Sequence, residues 1–221
     1  MKFRAAVRVL CFSFVIAAAT SAQANVLTNG SFELGEFVNQ GNNTMSLGVG
    51  STVIGGWTVI TDTTAWIGAE NPFGLTASDG SFFLDLTNYQ AGAPFAGMSQ
   101  TIATSPGATY SLSFDLGSST QYGVPGSITA SAAGISQTFV SPTTGGDVWT
   151  QETMQFTAAS ASTTVVLQGA SGFNYIGLDN ADVECVSNCS GGGGGTVPEP
   201  GTIALLGLGL AGLATSRWRK Q

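Results

Sequence analysis

The amino-acid sequence predicts an all-β fold, an antiparallel β-sandwich preceded by a signal helix and followed by a transmembrane helix. Apolar and polar residues alternate along short segments such as Thr109–Leu116, which is the period of a strand with one buried face. Turn sequences such as Asp79-Gly80 and Ser105-Pro106-Gly107 separate these segments. Between the two ends no stretch of useful length shows the period of an amphipathic helix.

The predicted strands follow one another at short spacing. In chain order they are Gly56–Ile60, Phe82–Leu86, Met98–Ile102, Thr109–Leu116, Ser127–Ala132, Ile135–Val140, Met154–Thr157, Thr163–Leu167 and Gly177–Val183. Ala133-Gly134 joins two of them and predicts a hairpin. A series of short strands with glycine-rich turns is typical of a β-sandwich.

The charge distribution excludes several classes of function. Residues 25–200 hold all 13 acidic residues and no Lys, Arg or His, which gives this region a formal charge of −13. Without cations it cannot neutralise the phosphates of a nucleic acid. It also lacks the side chains for a histidine base, a lysine Schiff base or a histidine-ligated metal.

The first 24 residues have the parts of a secretory signal peptide. Basic residues precede the apolar stretch Val9–Ala19, and Ala22-Gln23-Ala24 supplies the small residues that signal peptidase requires. The apolar stretch is shorter than the ~20 residues of a spanning helix, which argues against a permanent anchor. We expect cleavage after Ala24, so that the mature chain begins at Asn25.

The C-terminal end forms a second sorting segment. A glycine run at 191–195, expected to be a flexible tether, precedes Val197, Pro198, Glu199 and Pro200. An apolar stretch over 201–216 follows, and it is short for a bilayer unless the terminal basic residues snorkel. These basic residues are Arg217, Arg219 and Lys220. The positive-inside rule places both basic ends in the cytoplasm and the domain between them outside.

In the order of its three parts this segment resembles the PEP-CTERM sorting signal. In that family the Pro-Glu-Pro motif is recognised by an exosortase, a transpeptidase-like membrane enzyme of Gram-negative bacteria that make extracellular polysaccharide. The resemblance implies exosortase and signal peptidase as processing partners and an inner-membrane-anchored precursor. It also implies a final location on the cell surface or in the extracellular matrix of a biofilm.

Two cysteines, Cys185 and Cys189, remain in the mature chain. Fully extended backbone would hold their Cα atoms farther apart than the ~7 Å that a disulfide permits, but a turn through residues 186–188 allows the bond. Their spacing does not match a Cys-x-x-Cys redox pair. We expect a structural disulfide at the exit of the domain.

Several short motifs follow one another through the central region in a recognisable order. They are Asn25–Glu33, Gly56–Val59, Asp79–Ser81, Leu84–Leu86, Ser99–Ile102, Pro106–Tyr110, Leu112–Leu116 and Gly177–Val183. This series is similar to the choice-of-anchor C family and, more loosely, to galactose-binding-like jelly-roll modules. It implies a jelly-roll domain over 25–186, between the signal peptide at 1–24 and a linker at 187–196, with the sorting signal at 197–221.

In related jelly-roll modules a structural Ca²⁺ often ties the first strand to the last. The resemblance assigns Glu33 and Asp179 to such a site. Asp79, which precedes Gly80, is a candidate for a further ligand. A hard cation with six to eight oxygen ligands suits an acidic, glycine-rich domain. The alternative is that Glu33 and Asp179 accept backbone hydrogen bonds at strand ends.

A neutral extracellular polysaccharide is the second candidate ligand. Sugar binding needs exposed aromatic faces with hydrogen-bonding groups beside them. Aromatic residues in polar or glycine-rich stretches are the candidates for stacking, namely Trp66, Tyr89, Phe95 and Tyr122. Asn88, Gln90, Asp115 and Gln121 are the candidates for hydrogen bonding. An acidic polysaccharide would be repelled by the domain, and the alternative for each aromatic residue is burial beneath a loop.

We expect no enzymatic activity. The paired carboxylates of a glycosidase are the remaining common machinery, and Asp115 and Glu152 are the residues that would form such a pair. The sequence therefore predicts a non-catalytic glycan-binding or adhesive β-sandwich. A purely structural matrix protein and, less favoured, a carboxylate-based glycosidase are the alternatives.

Overall fold

The computed structural model describes residues 25–119, 125–141, 148–173 and 175–189. These residues form eleven strands in two antiparallel sheets, so the predicted antiparallel β-sandwich is confirmed. The strands are β1 (Thr44–Leu47), β2 (Thr58–Ile60), β3 (Thr64–Gly68), β4 (Phe82–Asp85), β5 (Gly97–Ala103), β6 (Thr109–Ser118), β7 (Ser127–Ala132), β8 (Ile135–Val140), β9 (Val148–Thr157), β10 (Ser162–Ser171) and β11 (Gly177–Ser187). None of the described residues belongs to a helix that could cross a membrane, and both predicted terminal helices lie outside these ranges.

The two sheets have six and five strands. The six-stranded sheet has the order β1-β3-β4-β11-β6-β9, and the five-stranded sheet has the order β2-β5-β10-β7-β8. Strands distant in sequence are therefore neighbours, and the last strand, β11, lies between β4 and β6. The segment that precedes β1 also contacts β11, because Val26 N donates to Val183 O over 2.9 Å.

The main core lies between the sheets and follows the predicted alternation. On β6 the four inward residues Tyr110, Leu112, Phe114 and Leu116 are all buried. They pack with Trp57 and with the inward side chains of β5, β7 and β10. Burial of these large side chains, at about 25 cal/mol per Å² of apolar surface, is the principal stabilising contribution.

A smaller core covers the outer face of the six-stranded sheet. It contains Ala65, Ile67, Leu75, Phe83 and Tyr175, and the loop of residues 71–79 lies over it. As a result every residue of β3 is buried. One hydrogen bond, 2.8 Å from Trp149 Nε1 to Thr76 O, ties this loop to β9.

All nine predicted strands are present, and the structure adds β1 and β3. β3 was missed because a strand buried on both faces shows no alternation of apolar and polar residues. β1 was missed because it has four residues and follows Asn42-Asn43, which reads as a turn. At the far end, Cys185 and Cys189 form the predicted disulfide, with their Cα atoms 5.9 Å apart.

Candidate functional site

Three carboxylates predicted as calcium ligands lie around the loop that leads into β4. Glu33 Oε1 accepts hydrogen bonds from Ser81 N at 2.8 Å and Phe82 N at 2.7 Å. Asp179 Oδ2 accepts from Ser78 N at 2.7 Å and Asp79 N at 3.0 Å. The two side chains thus hold residues 78–82 from either side, which is the backbone-acceptor role left open by the sequence.

Backbone donors, rather than a shared ion, occupy the carboxylate oxygens of Asp179 and one oxygen of Glu33. Asp179 is fully buried, and its second oxygen also accepts from Asn180 N at 2.7 Å. Burial, with a smaller contribution from the charge of Asp115, raises the pKa of Asp179 to about 7 despite three backbone donors. In the described part of the chain no group of three acidic or cysteine side chains is placed to hold a metal. Calcium binding therefore stays a prediction.

Asp115 is buried beside this loop rather than offered to a ligand. Its Oδ2 accepts from the Ser78 hydroxyl and, over 3.1 Å, from Asn180 Nδ2. On β6 it is paired with Gln151 of β9, whereas Glu152 is paired with Phe114. Because neighbouring residues of a strand point to opposite faces, Asp115 and Glu152 lie on opposite faces of the sheet. The proposed glycosidase pair is therefore not formed.

A polar depression opens next to the same loop. Its volume is about 350 Å³, and its lining includes Asn29, Ser31, Asp79, Asn180 and Asp182. Asp182 Oδ1 is buried there and has no hydrogen-bond partner among the described residues. None of the lining residues is aromatic, so the depression offers hydrogen bonds but no stacking surface for a sugar ring.

Two of the predicted stacking residues are buried, and these predictions are wrong. Trp66 is fully buried in the main core, where its Nε1 donates to Phe32 O over 3.1 Å and its ring lies 5.3 Å from that of Phe37. Phe95 is only 5% exposed. Both follow glycine-rich or polar stretches, but β3 carries Trp66 inward, and Phe95 is buried in the segment that leads into β5. Tyr122, with Gln121, lies outside the described residues.

Tyr89 is the predicted stacking residue that remains at the surface. Its side chain is 37% exposed, and its ring centroid lies 5.4 Å from that of Phe73. Phe73 comes from the loop that covers the smaller core, and no motif in the sequence marks it as a binding residue. Asn88 and Gln90 flank Tyr89 in the chain, so an aromatic pair lies beside two amide side chains. We call Phe73, Asn88, Tyr89 and Gln90 the Tyr89 patch.

The Tyr89 turn is held by a buried carboxylate that was not among the predicted site residues. Asp85, completely buried at the end of β4, accepts from Ile176 N at 2.9 Å, Thr87 N at 3.0 Å and Tyr89 N at 3.3 Å. Burial raises the pKa of Asp85 to about 6, against the opposing effect of these hydrogen bonds. The signal available in the sequence was Asp85-Leu86-Thr87, the spacing of an Asx turn.

Backbone strain and contacts to β1 also define this turn. Asn88 and Tyr89 have φ of 45° and 66°, in the left-handed region that non-glycine residues rarely adopt. Asn88 Oδ1 accepts from the Ser46 hydroxyl over 2.9 Å, and the Tyr89 hydroxyl hydrogen-bonds with Thr44. Such strain persists where the surroundings fix the conformation, and it clusters at binding sites. The turn is therefore pre-organised.

The remaining predicted residues belong to the two ends. Asn25 is the first described residue, and its Oδ1 accepts from Leu27 N at 2.7 Å and Val183 N at 3.2 Å. The other processing and sorting residues lie outside the described residues, namely Ala22, Ala24, Val197, Pro198, Glu199, Pro200, Arg217, Arg219 and Lys220.

Comparison with solved structures finds sugar-binding modules and domains of larger proteins. TmCBM61 in complex with β-1,4-galactotriose has a TM-score of 0.45 at 18% identity, over 74% of this chain and 99% of its own. The xylan-binding domain from CBM 22 has a TM-score of 0.43 at 17% identity, over 62% and 92%. The enzymatically active domain of tailspike protein 4 of bacteriophage CBA120 has a TM-score of 0.48 at 16% identity. That match covers 73% of this chain but only 21% of the tailspike chain.

No curated protein matches the chain, but two family models do. The PEP-CTERM protein-sorting motif matches residues 196–220, which confirms the resemblance of the C-terminal segment and marks the chain as an exported protein. The second model covers residues 25–173, most of the sandwich. The chain belongs to the family described as protein of unknown function DUF642.

Proposed function

We propose that this protein is a non-catalytic glycan-binding protein of the cell surface or extracellular matrix, exported by its signal peptide and sorted by an exosortase. The single observation that supports glycan binding best is the Tyr89 patch. It combines a partly exposed aromatic ring with flanking amides on a turn fixed by Asp85. Pre-organised aromatic surface with convergent polar groups is what sugar rings and hydroxyls require.

The charge of the domain favours a neutral polysaccharide. All 13 acidic residues lie within residues 25–200, with no basic residue to offset them. Like charges repel at the distances set by the ~8 Å Debye length of physiological salt, so a polyuronate would meet an unfavourable field. The PEP-CTERM motif supports a host that makes extracellular polysaccharide.

Affinity electrophoresis through gels containing galactan, glucan, xylan or a polyuronate tests this function. The full chain should be retarded by at least one neutral polysaccharide and not by the polyuronate. Tyr89→Ala should lower the affinity derived from that retardation about tenfold, which is equivalent to ~1.4 kcal/mol. Phe173→Ala is the matched control, because Phe173 is 56% exposed and lies outside the patch. It should bind as the wild type does.

Two outcomes would contradict the proposal. If no neutral polysaccharide retards the wild type, glycan binding fails, and a purely structural matrix role is favoured. If Tyr89→Ala and Phe173→Ala bind equally well, the Tyr89 patch is not the site. Tyr89→Phe separates the ring from its hydroxyl, since it should keep most of the affinity if stacking provides the binding energy.

A further inference from the structure

The two sheets have four edges, and two of them are covered by the chain itself. Along β1, Gln40 N donates to Thr44 O over 2.8 Å, and Gln40 Oε1 accepts from Ser46 N over 2.9 Å. Along β2, Val59 N and O are both taken by the backbone of residues 50 and 51, at 3.0 and 2.8 Å. Covering an edge in this way prevents it from pairing with a strand of another molecule.

The other two edges, β9 and β8, differ in charge. β9 carries Glu152 in its middle, and a charge on an edge strand opposes pairing with another strand. β8 has the sequence Ile-Ser-Gln-Thr-Phe-Val, without charge, proline or glycine. Ile135 and Val140 at its two ends are 44% and 57% exposed. Among the described residues only β7 pairs with it.

Hairpin geometry shows which backbone groups of β8 face outward. Ala133 and Gly134, with φ of 49° and 79°, form a two-residue loop, so the flanking pair Ala132 and Ile135 is hydrogen-bonded. Every second residue of β8, starting from Ile135, therefore hydrogen-bonds to β7. These are the odd-numbered residues, and Ser141 N, which donates to Gly126 O over 2.8 Å, continues the same pattern. The N–H and C=O groups of the even-numbered residues of β8 therefore point away from the sheet. They are Ser136, Thr138 and Val140.

We propose that the edge of β8 that faces away from β7, which pairs with no strand of the described residues, docks the β8 strand of a second copy of the chain, antiparallel across a two-fold axis at Thr138. In that register Thr138 faces its own copy and Ser136 faces Val140 of the other molecule. Each such pair exchanges two backbone bonds, about six in all. A two-fold contact of this kind is self-complementary and closes into a dimer.

The charge layout favours a second copy in spite of the acidic domain. None of the five strands β2, β5, β7, β8 and β10 contains an acidic residue, so the two joined sheets bring no carboxylates together. The hydroxyls of Thr129 and Thr138 lie 2.8 Å apart on the outer face of this sheet, and a second β8 would extend this row. A single strand pair buries less than the ~1,200 Å² of a stable interface, so the dimer is weak and depends on crowding at a surface.

Disulfide trapping in the full chain, purified in mild detergent, tests this contact. A Cys11→Ser background removes the thiol of the signal segment. In the proposed register the two Thr138 Cα atoms lie ~5.5 Å apart, within the range that a disulfide spans. Thr138→Cys should therefore give a disulfide-linked dimer under mild oxidation at least tenfold faster than Thr164→Cys. Thr164 is the matched control, being an exposed threonine on the central strand β10.

A second substitution at the edge separates strand pairing from random collision. Ser136→Pro removes one outward N–H, which an edge strand tolerates. Ser136→Lys leaves the backbone intact and places a charge opposite the apolar side chain of Val140 in the other copy, which opposes strand pairing. It serves if the proline variant does not fold. Either change, made together with Thr138→Cys, should lower the trapping rate to that of Thr164→Cys. Equal rates for Thr138→Cys and Thr164→Cys, or a rate that Ser136→Lys does not change, would overturn the proposal.

Discussion

At the scale of single residues, Asp85 holds the Tyr89 turn and also couples it to pH. Its pKa is about 6 in the folded protein against 3.8 as its unperturbed value, because burial disfavours the charged form. The folded state therefore binds the proton more tightly than the unfolded state does. The contribution of Asp85 to the free energy of unfolding is therefore lowest above pH 6, and it rises as the pH falls toward 4.

The Asp85→Asn variant isolates this contribution. Between pH 7.5 and 4.5 the free energy of unfolding of the wild type should rise by about 2 kcal/mol relative to the variant, since one pKa unit corresponds to ~1.4 kcal/mol. Urea titrations of both proteins at several pH values measure it. Parallel pH profiles for wild type and variant would show that Asp85 is not the group that titrates.

Burial also explains which site residues the sequence could not reveal. Trp66 and Tyr89 both lie in polar surroundings in the sequence, yet one is fully buried and the other is 37% exposed. The difference arises from contacts distant in the chain, because Phe32 and Phe37 cover Trp66. The hydrogen bond from Ile176 N to Asp85 likewise joins residues 91 positions apart. Neither of these two long-range contacts has a local signal in the sequence, although the Asx-turn spacing Asp85-Leu86-Thr87 does.

At the scale of elements, the loop of residues 71–79 depends on close packing between Trp149 and β6. A Cβ at Gly117 would lie 2.5 Å from the Trp149 ring, so the ring approaches the strand only because no side chain is present. We expect Gly117→Ala to displace Trp149, weaken its bond to Thr76 and lower the free energy of unfolding by ~1–3 kcal/mol.

The matched control for that substitution is Gly48→Ala. Nothing lies within 4 Å of a Cβ at Gly48, so this change should alter stability by less than ~0.5 kcal/mol. Denaturant unfolding of the three proteins compares them directly. Equal stability of Gly117→Ala and the wild type would mean that Trp149 moves aside without cost and does not hold the loop.

The elements that the sequence predicts well are those with one buried face. β7, β10 and the first half of β6 alternate in both sequence and burial, and their existence follows from period two alone. β3 could not be predicted in this way, because the 71–79 loop buries its second face. The hairpin of β7 and β8 was predictable from Ala133-Gly134, since its two positive φ angles suit a two-residue turn.

At the scale of the whole molecule, charge is distributed unequally between the two sheets. The acidic residues within strands all belong to the six-stranded sheet, namely Asp85, Asp115, Glu152, Asp179, Asp182 and Glu184. The five-stranded sheet is free of charge. Such a molecule can present a neutral sheet to a partner while its other sheet repels anions and non-specific neighbours. This distribution agrees with both proposals, for a neutral glycan and for a second copy.

Processing at both ends would remove every basic residue and leave the acidic residues of the domain without a compensating charge. All six basic residues lie in the two terminal segments, and the fold begins at once with Asn25, whose side chain bonds to β11. We expect the mature protein to begin at Asn25 and to lack residues 217–221. Its isoelectric point should then lie below the value of about 4.2 for the whole chain, since only acidic residues remain.

Intact-mass measurement of the protein released by its native host tests this expectation. The mass of the wild type should lack both the signal peptide and the C-terminal sorting segment. The variant Glu199→Ala, which alters the Pro-Glu-Pro motif, should lose only the signal peptide and keep the C-terminal segment. That difference assigns C-terminal cleavage to recognition of the motif rather than to general proteolysis of the glycine tether. A wild-type protein that still ends at Gln221 would contradict exosortase cleavage.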